Sequence, residues 1–353
     1  MSKASLLMLT AMGTLGIVFC MNVESFSPPS EDIKPTVDMS IYGHVVQVGW
    51  VVKDIDRVVD YWEKLGLKNI RRFPVSEGPQ MYRGKKSSVT QRQAFGDIGG
   101  VQIEWVQPIK GDSACNEFLQ EHGEGVNHLA FAATSPEQFD EQIRYFESKG
   151  IAVVQSSGQV PKGAGRFAYL DTASKGGGLD LELLYFPRGQ FWGAAEKVVP
   201  NEYPFNKIAQ YALVVRDVRA VGAFYESLGF GGMPVDHNVS VNRVYRGAPG
   251  KFEMDLGWGR FGDVIFEWIQ PLVGPSVYDE ALQARGEGFH HLAFEVKDMD
   301  EAIKLLAAKD AHVTQSGGWD NPGGKGRFAY LDTERYGGLT IELLWNQPAD
   351  RGQ

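Results

Sequence analysis

Two stretches, GEGVNHLAF at residues 123–131 and GEGFHHLAF at 286–294, place His128 and His291 near the start of apolar, strand-like runs. Other apolar runs carry a lone carboxylate near their middle: Glu104 in VQIEWVQP, Glu182 in LDLELLYFP, Glu267 in VIFEWIQP and Glu342 in LTIELLW. A carboxylate among apolar neighbours costs free energy unless it is paired or binds a cation. Gln47 and Gln210, which open QVGWVV and QYALVV, complete a set of Gln, Glu, His and Glu in each half of the chain. These mixed nitrogen and oxygen donors suit borderline or hard divalent ions (Zn, Ni, Co, Fe, Mn or Mg) and leave room for water or substrate. With no thiolate in the set, a closed structural zinc site is not expected. A lone strand histidine or buried glutamine ordinarily serves hydrogen bonding alone. Recurrence of all four residue types at matching places in both halves is what favours a metal or catalytic site.

The elements that must position these residues repeat. QVGWVVKDIDRVVDYWEKLGL (47–67) returns as QYALVVRDVRAVGAFYESLGF (210–230), and GRFAYLDT occurs at both 165–172 and 326–333, at shifts of about 160 residues. Such constancy indicates duplication. Each half divides again. QVGWVV reads as a strand, and Ile55, Val58, Val59, Trp62 and Leu65 then fall at the spacing of an amphipathic helix ended by Gly66. Residues 88–95 and 101–107 read as further strands. In the second quarter HLAFAAT is a strand, the segment from Pro136 to Gly150 is a helix, and VVQSSG, GRFAYLDT and LDLELLYFP are three strands. The expected fold is α+β, with a β-α-β-β-β unit used four times. The expected boundaries are 41–187 for a first module, 188–206 for a linker and 207–347 for a second module.

Further residues carry weaker signals. Arg166 and Arg327, in the two GRFAYLDT copies, are candidates to bind a substrate carboxylate and equally candidates to pair with a strand glutamate. His290, which stands where the first half has Asn127, is expected beside the site or at its rim. Trp50, Trp105, Trp258, Trp268 and Trp345 would line an aromatic pocket or, more commonly for such residues, fill the core. His44, His122, His237 and His312 lie outside the strand pattern and are expected at the surface.

Composition bounds the function. The net charge of −9, with basic residues scattered rather than clustered, excludes a phosphate-tracking nucleic-acid surface as the expected role. Two cysteines, Cys20 and Cys115, make no disulfide framework and no zinc-knuckle spacing. Residues 1–40 differ from the rest. SLLMLTAMGTLGIVFC (5–20) is an apolar run behind Lys3, followed by a polar, proline-bearing spacer. The layout is that of an export signal or, less readily, a membrane anchor, since the run is shorter than the roughly 20 residues a span needs. The expected location is exported (periplasmic or secreted) or anchored, with membrane association through this segment alone.

From residue 44 to 346 the chain resembles the vicinal oxygen chelate superfamily, which includes glyoxalase I, methylmalonyl-CoA epimerase, extradiol dioxygenases and the bleomycin and fosfomycin resistance proteins. The likeness rests on the strand-helix openings, on GEGVNHLAF and GEGFHHLAF, and on GRFAYLDT with LDLELL and LTIELL. It implies paired βαβββ units curled around a cleft, with metal ligands on the first and last strands. The ligand letters are most similar to glyoxalase I, which implies the metal sets Gln47, Glu104, His128, Glu182 and Gln210, Glu267, His291, Glu342. Exchange of ligands between halves stays open at this point. The implied activity is that of a metal-dependent lyase, isomerase or epimerase. A proton would leave a carbon next to a chelated carbonyl or hydroxyl of a small molecule, with Glu182 and Glu342 as the moving base. The alternatives are an extradiol-type dioxygenase, whose triad of two His and one Glu fits the letters less well, and a non-catalytic binding protein of the bleomycin-resistance type.

Overall fold

A computed structural model describes residues 36–158, 160, 164–187, 199–321 and 324–348. The expected signal or anchor at 5–20 and most of the expected linker lie outside them. No helix among the described residues is long and apolar enough to cross a membrane.

A short helix α1 (Met39–Tyr42) precedes the first quarter, which holds β1 (Gln47–Val51), α2 (Ile55–Leu65), β2 (Arg71–Arg72), β3 (Ser76–Tyr82), β4 (Lys85–Ile98) and β5 (Val101–Lys110). Helix α3 (Ala114–Glu121) leads to β6 (Gly125–Ala132), α4 (Pro136–Ser148), β7 (Val153–Ser156), β8 (Arg166–Leu170), α5 (Ala173–Gly176) and β9 (Asp180–Tyr185). The third quarter has β10 (Gln210–Val214), α6 (Val218–Ser227), β11 (Val235–Asn238), β12 (Val241–Tyr245), β13 (Ala248–Pro249), β14 (Glu253–Phe261) and β15 (Val264–Val273). Helix α7 (Val277–Arg285) then leads to β16 (Gly288–Glu295), α8 (Met299–Ala307), β17 (Val313–Asn321), β18 (Gly324–Leu331) and β19 (Thr340–Pro348). The four βαβββ units are present. Helices α3 and α7, which the repeat pattern did not announce, join the quarters within each module.

Local chemistry explains the helices. Asp54 caps α2 by accepting from the Arg57 N–H, and the five apolar residues at 3–4 spacing, with Tyr61, form its buried face. Gly66, at φ 131°, ends it. Asp217 caps α6 in the same way.

Each module is one curled sheet. The first has the order β2-β4-β3-β7-β8-β9-β6-β1-β5, and β4 also pairs with β5, which closes the curl into a barrel. Strand β4 does this by pairing its first half with β3 and its second half with β5. The second module has the order β11-β14-β15-β10-β16-β19-β18-β17-β12-β13 and remains an open half-barrel. The equivalent of β4 is broken there into β13 and β14, between Pro249 and Glu253. Pro249 lacks an N–H for the ladder and Gly250 lacks a side chain to pack, so Ala-Pro-Gly interrupts a strand that Lys-Lys-Ser-Ser continues in the first module.

Strand parity separates two faces. Val48 and Trp50 face a large apolar core shared by both modules, where Trp62, Phe205 and Trp268 are also buried. Their neighbours Gln47, Gly49 and Val51 face the inside of the curl. A small apolar cluster lies inside each curl, around Val51, Cys115 and Tyr169 in the first module and around Ala212, Tyr278 and Tyr330 in the second. The polar sets sit on these inner faces.

Candidate metal centre

In each module the four residues come from four adjacent strands, β5, β1, β6 and β9 or β15, β10, β16 and β19. Each set of four residues lies within one module. The cross-strand register makes a two-row pattern. In the second module Glu267 and His291 both lie opposite Ala212, while Gln210 and Glu342 both lie opposite Ala293. Two small residues thus alternate with four polar ones, and all four point to one patch. The first module repeats the pattern with Gly49 and Ala130 as the small residues.

A β-bulge aims the histidines. Ala212 lies opposite His291 and the next residue, Leu213, lies opposite Phe289, which leaves His290 as the extra residue. Asn127 is the extra residue in the first module. The bulge brings both neighbours of the pair to one side, so residue 290 or 127 can hold the ring beside it. The Nδ1 atoms of His290 and His291 are 2.9 Å apart, and Asn127 Oδ1 lies 3.2 Å from His128 Nδ1. Burial, with His291 and Arg285 nearby, holds His290 well below the usual histidine range, so it is neutral, and it bonds the Val277 backbone. Neutral His290 therefore accepts the Nδ1–H of His291, which leaves His291 Nε2 free to bind a cation.

The second set is suited to a metal. One ligand atom from each of Glu267, His291 and Glu342 lies within 4.8 Å of the others, and all three residues are buried. His291 Nε2 is 3.5 Å from Glu267 Oε2 and 3.1 Å from Glu342 Oε2. Despite these separations, His291 Nε2 and Glu342 Oε2 make no hydrogen bond of acceptable geometry. Two buried atoms without partners, with a Glu267 oxygen within 4.8 Å of both, fit a divalent ion. Burial and the Glu342 charge push the Glu267 carboxyl up, against the opposing pull of His291. Burial alone would lower His291, but Glu342 and Glu267 bring it to about 9. A histidine raised in this way gives up a proton when its Nε2 binds a cation.

In the first set the carboxylates have amide partners, while His128 Nε2, like His291 Nε2, has no hydrogen-bond partner among the described residues. His128 Nε2 is 3.3 Å from Glu182 Oε2 and 3.7 Å from Glu104 Oε2. With its amide turned so that NH2 faces inward, Gln47 donates to Glu104 Oε2 and Glu182 Oε2, each at 3.3 Å, and its oxygen meets the Gln102 amide at 2.6 Å. Gln93 donates to Glu104 Oε1. Amide donors therefore meet the carboxylates here, whereas Glu342 Oε2 has no partner among the described residues in the second module, where Leu256 and Ile265 replace Gln93 and Gln102. Burial, then the Glu104 charge, raises Glu182 well above the ordinary carboxylate range. Gly49 is needed here, because a Cβ at that position would lie 1.8 Å from the His128 ring, whereas Ala212 is accommodated beside His291.

A cavity of about 730 Å³ opens onto the second set, with Gln210, Glu267 and Glu342 in its lining. Trp258, Trp319, Phe328 and Tyr330 form much of its wall. Tyr330 also packs on the His291 ring at 4.9 Å, as Tyr169 packs on His128 at 4.5 Å. Sequence reading missed both tyrosines, although the alternation in RFAYL puts them on the same face as the strand glutamates.

Arg166 and Arg327 join neither set. Alternation turns them to the helix side, where they bond Asp140 on α4 and Asp300 on α8, each at 2.8 Å. Arg327 is not among the described residues that line the cavity of the second module, and neither arginine forms the expected pair with a strand glutamate. Trp50, Trp105 and Trp268 are core and Trp345 packs against it, which leaves Trp258 as the expected aromatic that reaches the cavity. Cys115 is a buried free thiol.

The glyoxalase/bleomycin resistance protein/dioxygenase superfamily profile matches residues 46–169 and 209–330. An uncharacterized protein of Bacillus subtilis (strain 168), YqjC, is 24% identical over 139 residues, 39% of this chain and 91% of that protein. Among solved structures, a mutant of 4-hydroxymandelate synthase from Streptomyces coelicolor superposes at a TM-score of 0.56 with 16% identity, covering 88% of this chain and 94% of the other. A fusion of a xylose isomerase-like TIM barrel with a 4-hydroxyphenylpyruvate dioxygenase superposes at 0.53 with 13% identity, and this chain spans 50% of its length. At such identities these two structures are alike in fold. The two profile matches, one on each curled sheet, establish that the chain belongs to the glyoxalase/bleomycin resistance protein/dioxygenase superfamily.

Proposed function

We propose that the chain is a metal-dependent lyase, isomerase or epimerase, and that its chemistry resides in the second module. The observation that carries this reading is the buried Glu267, His291 and Glu342 set, with its unpartnered Nε2 and Oε2 atoms, facing a large cavity. A divalent ion held there would supply positive charge against the negative charge that develops on adjacent substrate oxygens when a proton leaves the neighbouring carbon. Glu342 takes that proton, since its Oε2 is committed to no hydrogen bond and the residue is part of the cavity lining. Glu267, on the other side of His291 in the sheet, is placed to return it. His290 keeps the His291 ring in the tautomer and orientation the set needs.

The second reading is a dioxygenase, favoured by the fold likeness to 4-hydroxymandelate synthase over 88% of this chain. The set argues against it. A non-haem iron oxygenase site ordinarily joins two histidines to one carboxylate, whereas this one has one histidine and two glutamates, with His290 turned to back His291.

The experiment offers small 2-hydroxy ketones and 2-oxo acids to the metal-loaded chain in D2O, with proton NMR at the carbon and an oxygen electrode run in parallel. Exchange that disappears in Glu342→Gln while bound metal is retained supports proton transfer. Oxygen uptake without exchange transfers the case to the dioxygenase reading. With neither, the chain is a binding protein.

A further inference from the structure

Behind the metal set lies a second, smaller cavity of about 170 Å³, which shares no lining residue with the large one. Helix α7 forms one wall, with Glu280, Ala284 and Arg285, and Thr314 of β17, Thr340 of β19 and Glu334 of the 3-10 turn Asp332–Arg335 form much of the rest. Ala284 is exposed, so the space opens to solvent. His290 is also in the wall, with its ring nitrogens committed to His291 and to the Val277 backbone.

Two opposite charges line this space without meeting. Glu280 is already held by Arg246 and Tyr245. Among the described residues, by contrast, the half-buried Arg285 guanidinium has no hydrogen-bond partner, and the half-buried Glu334 carboxyl accepts only from its own backbone N–H. Burial holds Arg285 below the usual arginine range and Glu334 above the usual carboxylate range, and their attraction across the space offsets this only in part. Charges withdrawn from water and left unpaired cost free energy, which a bound group of opposite sign offsets. The first module fills the matching place from within. Asp180 stands at the Thr340 position and accepts from the Ala173 N–H, while His122, at the Arg285 position, is bonded to the Arg285 carbonyl.

The pair selects a ligand by charge and by size. A simple anion would be drawn to Arg285 and repelled by Glu334, and a simple cation would meet the reverse, whereas a molecule that carries both charges gains two attractions. An arginine receives a carboxylate through two parallel N–H bonds. A cavity of about 150 Å³ encloses a ring of six carbons, so a space slightly larger suits roughly six or seven non-hydrogen atoms.

We propose that this cavity binds a small α-amino acid as its zwitterion, of the size of glycine, alanine or serine, with the carboxylate on Arg285 and the ammonium on Glu334. The site is separate from the metal set and does not depend on the proton-transfer reading.

The test is equilibrium binding to the full chain, metal-loaded and desalted, by saturation-transfer NMR and calorimetry, with L-alanine, acetate, methylammonium and L-tryptophan as probes. L-Alanine binds roughly tenfold tighter or more than acetate or methylammonium, each of which carries one of its two charges, and L-tryptophan, too large for the space, does not displace it. Arg285→Gln and Glu334→Gln each lower the alanine affinity by a similar factor. Both keep the bound metal, which shows that the second sheet is folded, and Glu334→Gln binds acetate as well as wild type does or better, because a repulsion is gone. Acetate bound as tightly as alanine makes the cavity an anion pocket and overturns the proposal, as does the absence of saturable alanine binding. Alanine binding that both variants leave unchanged places the amino acid on the metal, which its nitrogen and oxygen can chelate, and overturns the proposal too.

Discussion

The two modules place the same four residue types on the same four strands, yet one set is closed by amides and the other is left open to a cavity. In the first, Gln47 and Gln93 bond the carboxylates of Glu104 and Glu182, Gln102 bonds Gln47, and β4 seals the barrel. In the second, Leu256 and Ile265 replace two of those amides, and the strand break after Pro249 leaves the curl open around about 730 Å³. The difference teaches that a ligand set is defined as much by what else its atoms can bond as by the ligands themselves. A buried carboxylate with amide donors needs no cation, and one without them does.

The largest expected effect is on metal content. The chain, loaded and desalted, carries one ion by elemental analysis. His291→Ala loses it, because the set is left with two facing carboxylates and one donor too few, and His128→Ala keeps it. Two ions per chain, each lost with one histidine, would break the comparison.

The next effect concerns pH. Asp180 lies opposite His128 in the first module, where the second has Thr340. Burial raises its carboxyl from 3.8 to about 7, against one hydrogen bond from the Ala173 N–H. A raised carboxyl favours the protonated folded state, so its contribution is present below about pH 4 and is lost as pH rises through 7. Asp180→Asn should therefore gain stability over wild type across that window, by up to about 4 kcal/mol. Urea midpoints at pH 5 and pH 8 check this. A gap that does not widen at the higher pH would mean that Asp180 is solvated and the first curl less closed than its packing indicates.

Exchanging the amides tests the cause directly. Leu256→Gln with Ile265→Gln gives Glu267 and Gln210 the partners their counterparts have, and metal affinity should fall on the order of 10–100-fold. The reverse pair, Gln93→Leu with Gln102→Ile, should let the first module bind a second ion. Calorimetric titration reads both. An unchanged affinity in the first pair would shift the explanation from hydrogen bonding to barrel closure.

Much of this was legible in the residues. The duplication, the βαβββ plan and the eight ligand candidates follow from hydrophobic period and from carboxylates in apolar strands, because burial of a charge leaves a mark on local sequence. The inequality of the modules did not follow, since it depends on which side chains meet across strands. Gln93 stands eleven residues from Glu104 and Gln102 fifty-five from Gln47, and neither pairing shows before the register is known. Closure of one barrel and opening of the other hang on Ala248-Pro249-Gly250, an ordinary turn signal whose consequence lies in the strand it divides. Arg166 and Arg327 show the opposite failure. Alternation within RFAYL already sets them on the face away from Tyr169 and Tyr330, and the appeal of an arginine beside a glutamate hid the parity.

The smallest expected effect sharpens the comparison where the modules differ by one residue, Asn127 against His290. Both serve as the acceptor behind a ring nitrogen, at 3.2 Å and 2.9 Å. Because burial keeps His290 neutral, an asparagine oxygen replaces it in kind. His290→Asn should thus alter metal affinity only a few-fold, whereas His290→Leu removes the acceptor, frees the ring to turn and should cost about 10–100-fold. Metal titrations of both variants from pH 6 to pH 9 make the test complete. If His290 did carry charge in that range, the asparagine variant would bind metal more tightly at the acid end and match wild type at the alkaline end. Parallel curves mean that it is a fixed neutral acceptor, and that the inequality of the modules lies in the amides and the open wall.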